Sequence, residues 1–310
     1  DARQEQPGWD APGFADASWS PAQVGDGPGG KLVSQMAPPL RVIQPMEPVR
    51  MNTPRPGITM YDLGQNFSGI PWIQVQGPRG SWIRVTPSEL ITDDGLANQS
   101  ASGGPHNYTY TLKGEGAETW HPRFTYYGFR YLQVESGPEE NPPQLLRIMG
   151  LFTRHSAERA GEFTCSDELY NQIHELIDWS VGSNLQSVLT DCPHREKLGW
   201  LEVAHLMAPS ILFNYDIPLF YYKVIRDTRD SQLPNGLVPD IAPEYTVFSA
   251  GFRDSPEWGS AAVILPWYVY QWFGDERPLR DSYDTMKRYV AYLESRADDH
   301  IVSHGLGDWF

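Results

Sequence analysis

The sequence predicts a chain of two architectures, an antiparallel β-sandwich followed by paired helices. Two observations carry this. Between Leu40 and Gly150, short stretches mix polar with β-branched or aromatic residues and are separated by Gly and Pro, the pattern of half-buried antiparallel strands. At about Thr164 the apolar period changes from two to 3.6, that of helices buried along one face. At 310 residues the chain is long enough for two domains, each with its own core.

Residues 1–39 are rich in turn formers, as in Gly8-Trp9-Asp10, Pro12-Gly13-Phe14 and Ala17-Ser18-Trp19. No helical period survives there, and the segment reads as a linker. Residues 40–157 form the sandwich. Strands are expected over Ile70–Gln76 and Ser81–Thr86, with Gly77-Pro78-Arg79-Gly80 as the turn between them. Asn107–Leu112 alternates Tyr and Thr, and Phe129–Glu135 is a further strand entered through Tyr126-Tyr127-Gly128. The Asp93-Asp94-Gly95 loop has turn chemistry that falls short of a metal site.

From 158 to 310 the chain is helical. Ser166 is the expected cap of a first helix, with Asp167 and Glu168 in its first turn at the positive end of the dipole. Leu169, Ile173, Leu176, Ile177, Val181 and Leu185 line one face of it. Further helices are predicted over about Glu202–Phe213, Ile217–Asp227, Trp258–Phe273 and Pro278–Arg296, with Gly274-Asp275 ending the fourth of the five. Helix pairs recurring at about 40 to 50 residues indicate a solenoid or an (α/α) toroid. A toroid of six pairs needs roughly 300 residues or more, so this segment is expected to hold only part of one. Val263, Leu265, Trp267 and Val269 are then expected to lack some of their partners.

Composition narrows the function. With 24 basic and 39 acidic residues the net charge is −15, which argues against nucleic acid or an anionic membrane as partner. No apolar run reaches the roughly 20 residues of a membrane-spanning helix. The 11 Trp and 16 Tyr supply flat surfaces with one polar edge, suited to a sugar and equally ordinary in a core. Cys165 and Cys192 are the only cysteines. They imply no disulfide framework and are expected to be two free, partly buried thiols. The chain starts without Met or an apolar signal core, and both ends read as cuts through a longer protein.

The chemistry concentrates in Asp191-Cys192-Pro193-His194-Arg195-Glu196-Lys197-Leu198-Gly199-Trp200. Two carboxylates and a guanidinium so close together must be solvated, paired or satisfied by a ligand. The stretch is therefore either a solvated loop with an Arg–carboxylate pair or the polar floor of a binding site. Walker, dinucleotide-binding, zinc-ligand and nucleophile-elbow patterns do not occur in the sequence.

This stretch resembles the signature of bacterial α-L-rhamnosidases, glycoside hydrolase family 78: Asp-Cys-Pro-x-Arg, then Glu, then Gly-Trp. Tyr61-Asp62-Leu63-Gly64-Gln65-Asn66 and His121-Pro122-Arg123-Phe124 are similar to the sandwich joined to that family's barrel. The Trp-rich residues 1–39 are similar to the end of its upstream accessory β domain. The resemblance implies a multidomain all-β plus all-α fold, an antiparallel β-sandwich followed by part of an (α/α)6 barrel. It implies inverting hydrolysis of terminal α-L-rhamnose from glycosides or polysaccharides, with no cofactor and no metal. Glu196, four residues before Trp200, would be the general acid, and the general base would come from the later half of the barrel. Asp191 would press on the acid as a like charge, and Arg195 is expected to point at Asp191 or a sugar hydroxyl. Trp200, Trp258 and Trp309, the last two in loop-like surroundings, would line the sugar pocket, with Asp308 beside them. Such enzymes are often exported, which favours a periplasmic or extracellular location over a cytoplasmic one without fixing the compartment.

The match departs from the family at one point. Many members carry Asp three residues after the signature Trp, where this chain has Val203; Glu202 is the expected substitute. Asp240, Glu244 and Asp254 are further possible hydroxyl ligands, and His194 and His205 are read as structural. Two other readings remain open at this stage. One is a related toroid glycosidase acting on another sugar. The other is a non-catalytic carbohydrate-binding protein.

Overall fold

A computed structural model of the protein describes residues 1–27 and 29–307. No strand precedes Leu40 among the described residues. The first core is antiparallel β-structure built from β1 (Leu40–Met46), β2 (Arg50–Arg55), β3 (Ile58–Gln76) and β4 (Trp82–Ser88). A two-residue ladder of β5 (Leu90–Ile91) and β6 (Ala97–Asn98) follows, then β7 (Tyr108–Thr111), β8 (Ala117–Trp120), β9 (Tyr127–Gly137) and β10 (Gln144–His155). Strand order is β1-β10-β3-β9-β4-β7, with β2 and β8 also joined to β3.

Nineteen residues are too many for one straight strand, and β3 changes partners along its length. Its first half pairs with β2 and β9, and its second with β10 and β8. The register breaks between Asp62 and Phe67. Asp62 holds that corner: it accepts from the Gly64 amide at 2.8 Å and takes a two-pronged pair from Arg130 at 2.7 and 2.9 Å. The two layers of the sandwich enclose Phe67, Val75, Val85, Leu112, Phe129 and Leu132, none of them exposed. Phe67 and Phe129 meet at 4.9 Å.

The helical part follows as expected in type and differs in detail. After β11 (Glu158–Arg159) come α1 (Glu168–Asn184), α2 (Leu201–Leu206) and α3 (Ala208–Asn214), then β12 (Tyr215–Asp216), which pairs back with β11, and α4 (Pro218–Ser231). They are followed by α5 (Pro256–Gly259), α6 (Ala261–Phe273) and α7 (Arg277–Arg296). The cap of α1 is Asp167 rather than Ser166, its carboxylate accepting from the Leu169 amide at 3.0 Å. The single helix expected over Glu202–Phe213 is two, because Pro209 has no N–H to continue the ladder past Met207. The helix expected over Trp258–Phe273 is likewise split at Ser260. Gly274 ends α6 in the left-handed conformation, its amide bonded to Tyr270 O.

α6 packs against α2, α4 and α7, so Leu265 and Val269 are fully buried and Val263 lies against the core. The expectation that these residues lack partners is corrected for those three and holds for Trp267, which is exposed. A further uncovered apolar face belongs to α1. Leu169, Ile173, Leu176 and Ile177 are exposed, whereas Val181 and Leu185, nearer the sheet, are buried. No described helix is long and apolar enough to cross a membrane.

Sheet and helices are joined by hydrogen bonds. The buried Gln186 amide donates to Ser68 Oγ at 2.9 Å and to Thr153 O at 3.1 Å, and the His155 amide donates to Leu185 O at 2.7 Å. Trp179 of α1 meets Phe152 of β10 at 5.3 Å.

Candidate functional site

The signature stretch is the loop between α1 and α2. Asp191 closes it: its Oδ1 accepts from the Leu198 amide at 3.0 Å while its own amide donates to Leu198 O at 3.3 Å. Gly199 then lies on a second segment, taking the Ala242 amide at 3.0 Å, and Leu201 donates to Asp240 O at 2.9 Å. A Cβ at Gly199 would stand 2.5 Å from Ala242 O, so only glycine permits this approach. The pairing fixes Trp200 opposite Ile241.

Glu196 projects between the two anchors. Its Oε1 accepts from Arg195 Nη2 at 2.7 Å and its Oε2 from the Trp200 indole N–H at 2.9 Å. The side chain is 32% exposed, and Arg195 more so. Arg195, expected to point at Asp191 or a sugar hydroxyl, therefore pairs with Glu196 and not with Asp191. Asp191 is partly buried with an oxygen committed to Leu198, and drawing the exposed guanidinium inward would cost its hydration. Burial pushes the Asp191 carboxyl above the usual range; the Glu196 charge adds to this, while Cys192 and the Leu198 amide oppose it. The indole of Trp200 stacks on Phe248 at 5.4 Å and 23° and meets the edge of Trp258 at 6.4 Å.

The remaining candidates are dispersed. Trp258 is in α5 rather than a loop and is 5% exposed, packed in the helical core, where it backs Trp200. Glu202 occupies the first turn of α2 and is partly buried, while Val203 packs against the core. Asp308 and Trp309 lie outside the described residues. Asp240 is completely buried, accepts from the Ser255 amide at 2.9 Å, and has its carboxyl pushed up to about 7 by that burial. Glu244 is held by both prongs of Arg253, and Asp254 by Tyr292 and His304. His205 bonds the Glu257 carbonyl at 2.7 Å, and burial lowers its pKa, which suits a structural imidazole.

The sandwich also reaches the loop. Pro193 O accepts from the Gly128 amide at 2.9 Å, Lys197 Nζ donates to Tyr126 O at 2.5 Å, and His194 lies 3.3 Å from Glu89. Phe248, Glu89, Tyr126 and Tyr127 went unread as site residues. Only the Tyr126-Tyr127-Gly128 run gave a sign, and it was legible only as a strand entry. Cys192 is partly buried and free; Cys165 is free but exposed, contrary to expectation. Among the described residues no group of three or more His, Cys, Asp or Glu is arranged to hold a metal. In the Asp93-Asp94-Gly95 loop, Asp94 pairs with Arg55 and Thr92.

A sandwich joined to paired helices, with a carboxylate loop at their seam, is the architecture of a six-hairpin glycosidase. Family models agree: the bacterial α-L-rhamnosidase six-hairpin glycosidase domain matches residues 158–310, the concanavalin-like domain 52–153, and the α-L-rhamnosidase N-terminal domain 1–44. The α-L-rhamnosidase of Streptomyces avermitilis is 34% identical over 313 residues, and one from Formosa agariphila 32% over 323, each spanning all of this chain. The solved α-L-rhamnosidase from Dictyoglumus thermophilum superposes with a TM-score of 0.92 at 40% identity, covering 100% of this chain and 35% of that one. The S. avermitilis enzyme complexed with L-rhamnose gives 0.92 at 33% identity, covering 100% and 30%. The chain belongs to the bacterial α-L-rhamnosidase family. It spans 30% and 34% of the length of the two curated relatives named here.

Proposed function

We propose that this chain is part of an α-L-rhamnosidase, a glycoside hydrolase that removes terminal α-L-rhamnose from glycosides or polysaccharides with inversion. The single observation that carries the reading is the environment of Glu196 in a chain of this family. Its carboxylate is held by an exposed guanidinium on one side and an indole N–H on the other. Inverting hydrolysis needs one carboxylic acid to protonate the leaving oxygen and a second carboxylate to activate water on the opposite face. Glu196 is assigned the first role. Both donors favour the ionised carboxylate, so the role requires that Arg195 exchange Glu196 for a sugar hydroxyl on binding, which leaves the carboxyl to Trp200 and the scissile oxygen. Asp191, Trp200, Glu202, Asp308 and Trp309 supply further contacts, with Trp258 supporting Trp200 from behind. The water-activating carboxylate is assigned to the part of the family's length that this chain does not span.

The test is Glu196→Gln in an enzyme of full family length. Turnover on alkyl rhamnosides should fall by about two decades or more, the order expected for lost general acid catalysis. Aryl rhamnosides with a good leaving group, which need no protonation, should suffer far less. Proton NMR of the first turnover should show β-rhamnose formed first. Equal, small losses on both substrates would remove Glu196 from the role, and α-rhamnose as first product would rule out inversion.

A further inference from the structure

Lys197, the residue after the proposed acid, combines two features that an ordinary loop lysine lacks. It sits in the left-handed region at φ +57°, which a side chain with a Cβ disfavours and glycine or asparagine would adopt more readily. Its ammonium is also drawn inward without a carboxylate: among the described residues Lys197 has no ion-pair partner. Instead the ammonium lies 3.6 Å above the ring of Tyr127 and 4.6 Å from that of Tyr126, and donates to Tyr126 O at 2.5 Å. Tyr127 is itself braced by His106, stacked at 3.6 Å and 12°. The groups around the ammonium are thus Tyr126, Tyr127, His106 and Cys192, and burial lowers the Lys197 pKa to about 8 against the pull of Cys192. A desolvated cation on an aromatic face gains more than an exposed one, but here it also loses hydration without a counter-charge.

The same face of the sandwich grips the loop upstream of the acid. The Gly128 amide binds Pro193 O, and a Cβ on Gly128 would stand 2.7 Å from Pro193 Cγ and 2.8 Å from Glu89 Oε1. Asn66 holds Glu89 from the other side at 2.9 Å. Glu196 is therefore suspended between two points fixed on the sheet, Pro193 and Lys197, while Trp200 on the helical side receives its carboxylate.

We propose that Lys197 is a positioning residue for Glu196, its ammonium seated on Tyr126 and Tyr127 of the sandwich so that the left-handed turn after the acid aims the carboxyl at the scissile oxygen. The sandwich is then part of the active site rather than only its support. This rests on the assignment of Glu196 as the acid. A methionine at 197 would fill the same space and still touch the rings, but it has neither a charge for their faces nor a donor for the carbonyl, whereas an arginine has both.

The experiment compares Lys197→Met, Lys197→Arg, Tyr127→Leu, the Met/Leu double variant and Glu196→Gln, all in an enzyme of full family length. Lys197→Met should lower kcat on alkyl rhamnosides about tenfold while leaving kcat on a good-leaving-group aryl rhamnoside within about threefold, since only the first needs a well-aimed proton donor. Affinity for L-rhamnose should be unchanged. Lys197→Arg should restore most of the rate. Tyr127→Leu should give the same pattern from the sheet side, and the double variant should be no worse than either single one, the mark of residues acting as a unit. Equal losses on both substrates, a matching loss of rhamnose affinity, or failure of arginine to rescue would overturn the proposal. If Lys197→Met does not fold, Lys197→Arg and Tyr127→Leu decide it alone. Should Glu196→Gln keep its rate on alkyl rhamnosides, the acid assignment fails and the positioning role with it. An acid signature from Glu196→Gln without one from Lys197→Met and Tyr127→Leu would sink only the role of Lys197.

Discussion

Trp200→Phe is the perturbation that separates the two jobs of the indole. Phenylalanine keeps a ring to stack on Phe248 and meet Trp258, but removes the N–H that reaches Glu196 Oε2 at 2.9 Å. As Glu196 gives up its proton, negative charge grows on the oxygen facing that N–H, so the bond is stronger in the transition state than in the ground state. A hydrogen bond to a charged group is worth about 1.5–3 kcal/mol when buried. The Glu196 side chain is 32% exposed, and solvent screening trims this to about 1–2 kcal/mol. At about 1.4 kcal/mol per decade the expected loss in kcat on alkyl rhamnosides is about 5- to 30-fold. The good-leaving-group aryl substrate should lose less than about threefold, and KM should move little because the stacking surface persists. Steady-state kinetics on both substrates, with a thermal melt to confirm folding, measures this. A raised KM at constant kcat would refute the reasoning, since it would make Trp200 a ground-state sugar platform and nothing more.

Two further outcomes follow from the segment that pairs with Trp200. Gly199→Ala forces a Cβ to within 2.5 Å of Ala242 O, so the variant should lose about 2–3 kcal/mol, as overpacked sites do; a denaturant melt within 0.5 kcal/mol of wild type, roughly the scatter of harmless surface changes, would show that the ladder has slack. Asp240 has a folded pKa raised to about 7 by burial, against roughly 4 when unfolded. Its folded form therefore binds the extra proton between those values, and its contribution is full below about pH 4 and lost as the pH rises through 7. Melting temperatures of Asp240→Asn should accordingly fall less between pH 5 and 8 than those of wild type, and parallel curves would mean that Asp240 is ionised throughout.

The sequence made legible what is written in consecutive residues. Strands came from alternation, because one face of each is buried and the other wet, and α6 ended where Gly274 supplies a left-handed cap. The break at Met207 is hidden because the apolar period of α2 carries straight into α3, while Pro209 acts on a bond four residues back. The face of α1 was read correctly as apolar, but periodicity cannot say what covers it. The loop from Asp191 to Trp200 stood out because its chemistry is contiguous. Its partners did not, since Tyr126, Glu89 and Phe248 reach it only through tertiary structure. That Arg195 pairs with Glu196 and not with Asp191 is illegible for a related reason: both are near in sequence, and exposure, invisible there, decides between them.

The buried amide of Gln186 has a consequence for how such proteins can be recombined. It bridges Ser68 of β3, Thr153 of β10 and the end of α1 in a single set of bonds, two of them fully buried. A sandwich exchanged from a relative brings its own Ser68 and Thr153 positions but leaves Gln186 behind. If the new carbonyl sits a fraction of an ångström away, a donor is stranded in the interior, at about 1–3 kcal/mol. Sheet and helices are on this account inherited as a matched pair, and a crossover placed in the segment after β10, which looks like an obvious domain boundary, cuts through the seam that both halves need.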